Sequence, residues 1–158
     1  MSDSLRNYLQ AYIATFRAIH LWFHSAHNVT RGDGFAGDHA ILYHEIYTNF
    51  QDDIDAIIEK GIGLTDDESI ACPVGITADA IAIMQGYTAP WQLDALGIAA
   101  MGERMLSDYL EFSADMFTAL EGAGELSLGL NDFIMAHANK YETYVYLLRQ
   151  RIKTDLNN

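Results

Sequence analysis

Cysteine is almost absent. Cys72 is the only one in 158 residues, so no disulfide can form within the chain, and a reducing, cytoplasmic setting is the expectation. A thiolate-rich structural zinc site is excluded for the same reason. Basic residues are scarce as well: Lys and Arg total 9 against 22 Asp and Glu, a formal net charge of −13. Such a surface repels nucleic acid unless a local basic patch offsets it. The one short basic run, "RQRIK", is flanked by Asp155, so nucleic-acid binding is not expected. No apolar stretch approaches the roughly 20 residues that span a bilayer. The amino end has no basic segment followed by an apolar run, so no signal peptide is expected. P-loop, G-x-S-x-G and dinucleotide-binding glycine patterns are missing. Glu-x-x-His is missing too, which argues against a di-iron carboxylate centre held inside one bundle.

What is present is half apolar, enough for a hydrophobic core, and strongly periodic. From Ser4 to about Asn28, Leu5, Leu9, Tyr12, Phe16, Ile19 and Phe23 recur at helical spacing. Gly32, Gly34 and Gly37 break the pattern, and Asp38 is placed to cap a second helix. That helix runs to about Lys60 on the stripe Tyr43, Ile46, Phe50, Ile54 and Ile57, with Gly61 and Gly63 ending it. Residues 61–92 form a long connection carrying a short helix from Thr77 to about Gln85. A third helix from about Leu93 to Glu121 and a fourth ending near Lys153 complete the chain. Short loops make antiparallel neighbours of helices one and two, and of three and four. The expected fold is therefore all-α: a four-helix bundle, residues 1–158 as one domain, with a crossover of the ferritin-like kind between helices two and three.

The stretch "HSAHNVTRGDGFAGDH" holds three of the six histidines: His24, His27 and His39. On helix one, His20, His24 and His27 follow i, i+4, i+7 spacing and share a face that overlaps the apolar stripe. They could be core-edge imidazoles, although several side by side are costly to bury without a shared partner. On helix two, His44, Asp55 and Glu59 line up along one face with Asp52 beside them, roughly opposite the apolar stripe. That face could be merely solvated, or a second subunit could pack on it and complete an intersubunit metal site. Imidazole with carboxylate suits iron, zinc or manganese. Glu103, Asp108, Glu111 and Asp115 on helix three form a solvated or cavity-facing acidic surface. His137, Tyr141 and Tyr144 on helix four suggest bundle packing around a buried polar group.

"HNVTRGDGFAGDH", followed after an interval by "DAIIEK", resembles the Dps family of miniferritins. That family carries a histidine at the end of helix one, then glycine and phenylalanine. A second histidine opens helix two with an acid one turn on, and an Asp-x-x-x-Glu pair follows. His27, Gly32, Phe35 and His39 fall at the family's spacing, and Asp55 with Glu59 supply the later pair. The resemblance implies a ferroxidase: a dodecameric cage of two-fold dimers that oxidises Fe²⁺ and stores the ferric mineral, protecting against oxidative stress. It also implies that the histidines of one subunit face the Asp/Glu pair of its two-fold mate. The metal ligands would be His24 or His27, His39 and His44 as nitrogen donors, with Asp55 and Glu59 as carboxylates.

Two departures stand out. The tryptophan that usually follows the first histidine is missing after His27, so His24 stays a candidate. Counting back from Asp55 puts His44 in the acid's place and Ala40 in the second histidine's. Counting forward from His39 puts Tyr43 and Ile54 at ligand positions. One extra residue in the "GFAGDH" turn reconciles the two counts and makes the site richer in nitrogen, favouring zinc, copper or manganese over iron. A cage or dimer with a decayed, non-catalytic site is one alternative. A helical adaptor whose histidines are structural is the other.

Overall fold

The structure, a computed structural model, describes residues 3–153. Asp155 therefore lies outside the described residues. The helices are α1 (Asp3–Val29), α2 (Phe35–Gly37), a π-helical turn (Asp38–Tyr43), α3 (His44–Thr65), α4 (Pro73–Met84), α5 (Ala95–Gly122) and α6 (Leu128–Ile152). Among the described residues there is no strand. α1 packs on α3, α5 packs on α6, and α4 lies against α1 in the crossover, as the short and long connections imply.

Both apolar stripes are inside. Leu5, Leu9, Tyr12, Phe16, Ile19 and Phe23 are buried on α1; Ile46, Phe50, Ile54 and Ile57 are buried on α3, with Tyr43 just before it. The centre is aromatic. Phe50 stacks on Tyr141 with ring centroids 4.0 Å apart, and Phe16 meets Phe50 edge-on at 5.2 Å. Pairs of this kind add about 0.5–1.5 kcal/mol each beyond their buried area. They tie the two helix pairs into one bundle.

Helix boundaries depart from the sequence expectation in three places. Asp38 is not an N-cap: helical structure starts at Phe35, and the Asp38 carboxylate accepts from Arg151 Nε at 2.9 Å. α3 passes through Gly61 and Gly63 and ends at Asp66, whose φ of 54° breaks the helix. Gly61 stays helical because it lets Ile70 close in; a Cβ there would lie 3.3 Å from Ile70 Cδ1. The crossover helix starts at Pro73 rather than Thr77, since a proline at the first position lacks only an N–H that would be unpaired anyway. α5 begins after Asp94, whose side chain accepts from Gly97 N at 2.7 Å.

Candidate metal centre

The corner between α1 and α3 gathers four of the expected ligands. His24 and His27 occupy the last turns of α1, His39 lies in the π turn, and His44 opens α3. The rings of His27 and His39 are stacked with centroids 3.9 Å apart. His44 lies 5.6 Å from His27, and His24 lies 6.5 Å from it. Tyr47 stands among them: its ring is 4.6 Å from His24 and 5.2 Å from His27, and its hydroxyl is 3.2 Å from His44 Nδ1. His20 sits one turn back, 6.1 Å from His24, with its Nδ1 buried and unpartnered.

His27 and His39 hold one another by reciprocal bonds. His27 Nδ1–H donates to the His39 carbonyl at 2.6 Å, and His39 Nδ1–H donates to the His27 carbonyl at 2.7 Å. A carbonyl only accepts, so each Nδ1 carries the proton and each Nε2 keeps its lone pair. Fixing the tautomer through a backbone carbonyl is how metal-binding histidines are oriented. Burial pushes the His27 pKa below its ordinary value; the carbonyl bond opposes this, and the neighbouring imidazoles of His39, His44 and His24 reinforce it. His20 is shifted the same way by burial, Arg17 and His24. Both shifts favour the neutral, ligating form.

The carboxylates are elsewhere. Asp55 and Glu59 are exposed on α3, along the face that leads away from the bundle core, and Asp52 is exposed beside them. Among the described residues, no three His, Cys, Asp or Glu side chains converge to hold a metal. Among the described residues the histidine cluster and the exposed carboxylates of α3 do not come together in one group.

Sequence reasoning missed Tyr47, which lies three residues after His44 and so shares its face. It missed the π turn altogether. That turn spans Asp38–Tyr43 and so overlaps the end of the "GFAGDH" stretch. His137 and Tyr141 face a polar group, the half-buried Asp53, which accepts from Tyr141 at 2.7 Å. Two of the four acids on α5 also have partners: Glu103 pairs with Arg149 at 2.8 Å, and Asp108 accepts from the Tyr87 hydroxyl at 2.6 Å.

No protein-family model matches the chain, and no curated protein matches it in sequence. Solved structures do match. The tetragonal form of Mycobacterium smegmatis Dps superposes with a TM-score of 0.77 at 19% identity, over 97% of this chain and 88% of that one. A C-terminal deletion mutant of the same protein gives 0.76 at 18%, over 96% and 98%. Dps from Vibrio cholerae O1, described as a member of a broad superfamily of ferritin-like diiron-carboxylate proteins, gives 0.74 at 17%, over 96% and 90%. The chain thus has the ferritin-like bundle fold of the Dps structures.

Proposed function

We propose that this chain is a Dps-type ferroxidase, a homo-oligomeric cage that oxidises Fe²⁺ at sites shared between two subunits and stores the ferric product. The observation that carries the reading is the reciprocal His27–His39 clasp, which leaves two Nε2 lone pairs beside His44. The histidine cluster and the exposed carboxylates Asp55 and Glu59 form no common group of three or more ligand side chains among the described residues, so each would be one half of a site. Two copies related by a two-fold axis would supply each other's missing half, giving two mixed sites per dimer. Iron is the substrate: each ferrous ion loses one electron to peroxide or oxygen, and the protein supplies donors and a protected pathway. His24 lies at the rim of the half-site and serves as the alternative nitrogen donor to His27.

Replacing both carboxylates, Asp55→Asn with Glu59→Gln, should abolish fast iron oxidation after an anaerobic ferrous load and a peroxide pulse. The native mass should stay that of the wild type. An unchanged oxidation rate would remove these residues from the site. A second reading, a cage or dimer with a decayed site, draws on the lack of any converging triple of ligand side chains among the described residues. It requires an oligomer that neither retains metal nor oxidises iron.

A further inference from the structure

Residues 35–65 are helical throughout, but the helix widens to a π turn over Asp38–Tyr43. That widening decides where His44 points. Five residues separate His39 from His44, and at roughly 100° per residue an α-helix would set them about 140° apart. A π turn bonds i to i+5 and so closes over one more residue than an α turn, which returns residues five apart to nearly one face. The observed contacts agree: His44 reaches the ring of His27, which is itself stacked on His39.

Both ends of the π turn are anchored. Asp38, its first residue, is 3% exposed, and its carboxylate accepts from Arg151 Nε at 2.9 and 3.1 Å. Arg151 belongs to the last turn of α6, so this contact crosses the whole chain. Its guanidinium lies over Gly34, where an added Cβ would collide with it. At the other end Tyr43 is fully buried, with its ring 5.9 Å from Phe23. Neither anchor can slip by one residue without burying an unpaired carboxylate or expelling an aromatic ring from the core.

We infer that Arg151 is a positioning residue for the histidine half-site: through Asp38 it latches the π turn in the register that brings the His44 ring to His27. The inference deepens the metal-site reading above and rests on it only for the statement that this corner binds metal. In a site completed by the carboxylates of a second copy, His44 would stand where a carboxylate could, and nitrogen-preferring divalent ions would be held more tightly.

The test uses Zn²⁺ as the probe on the assembled, full-length protein, by competition against a chromophoric chelator, with native mass and far-UV circular dichroism recorded on each sample. Arg151→Gln should weaken zinc binding roughly ten- to hundredfold, the usual cost of losing an outer support of a metal ligand, and His44→Ala, which removes the supported donor, should weaken it at least as much. Combined, they should be no worse than His44→Ala alone, since both remove the same contact. Gly34→Ala disturbs the latch without removing its charge and should abolish the His44 dependence in the same way; Arg151→Lys should restore part of the affinity. These two variants carry the test if Arg151→Gln does not fold. Losses that multiply in the double variant, wild-type affinity in Arg151→Gln, or no zinc binding by the wild type would each overturn the inference. Zinc held through His44 without any iron oxidation would sink the ferroxidase reading and leave the latch standing. Iron oxidation with zinc affinity indifferent to His44 would do the reverse.

Discussion

Between α3 and α6 a single carboxylate, Asp53, draws in three side chains. Lys140 Nζ lies at 2.8 Å, the Tyr141 hydroxyl at 2.7 Å and His137 Nε2 at 3.2 Å from the same oxygen. Burial alone would raise its pKa, but the contact with His137 and the bonds from Lys140 and Tyr141 outweigh that and hold it at about 2. A carboxyl whose folded pKa is depressed contributes stability that is fully present above its unfolded value and is lost as pH falls through the folded one. The window therefore lies between about pH 4 and pH 2, and the contribution is ~2 kcal/mol. Urea unfolding at pH 5, 3 and 2 should show wild type losing about that much more stability on acidification than Asp53→Asn. Parallel pH profiles would mean the carboxylate adds no net stability. Residues of this kind are only half legible in a sequence. His137 and Tyr141 announce a polar group in the bundle by their types and helical spacing. Their acid partner is 87 to 88 residues from Lys140 and Tyr141, and only the packing of α3 on α6 brings it in.

At the scale of elements, α5 packs against α1 through Gly102. A Cβ there would sit 2.9 Å from Phe23 Cζ and 3.3 Å from Trp22 Cζ3, and both aromatic rings are buried with little room to move. Gly102→Ala gains up to about 1 kcal/mol of helix propensity. Overpacking costs about 1–3 kcal/mol, so the net effect should be destabilising. The melting temperature should fall relative to wild type, whereas Gly122→Ala, which meets nothing within 4 Å, should hold or raise it. A Gly102→Ala melt above wild type would show that α5 can shift to make room. The helices themselves were legible because the buried stripes of α1 and α3 repeat at 3.6 residues over about five and four turns, a signal no loop imitates. Their ends were less so. Pro73 reads as a break yet starts α4, and Gly61 reads as a stop yet lies inside α3 against Ile70. The π turn left only a trace, a one-residue disagreement between two ways of counting to Asp55. Periodicity over six residues cannot distinguish a widened helical turn from an extra loop residue, whereas the helical backbone over Asp38–Tyr43 can.

For the whole molecule, charge decides how copies of the chain can meet. Each carries −13, and the outward face of α3 is acidic at Asp52, Asp55 and Glu59. Close by, Leu21, Ile58, Pro73 and Ile76 line an apolar groove of about 390 Å³ with Arg17 at its edge. On α4, Val74 and Ile81 are exposed. A two-fold contact through this region would bury apolar surface and at the same time bring like charges together. The hydrophobic part is indifferent to modest salt, while the repulsion is screened as the Debye length falls from about 30 Å at 10 mM to about 8 Å at 150 mM. Oligomers should therefore survive greater dilution as sodium chloride is raised over that range, measured by native mass or light scattering on a dilution series. Added Fe²⁺ or Zn²⁺ should favour association further, because a divalent ion held between the imidazole half of one copy and Asp55 and Glu59 of another offsets the repulsion where it is strongest. Dissociation on adding salt would point instead to ion pairs across the contact, with Arg17 and the few other cations doing the holding. A monomer under every condition would leave the two half-sites apart and end the shared-site reading.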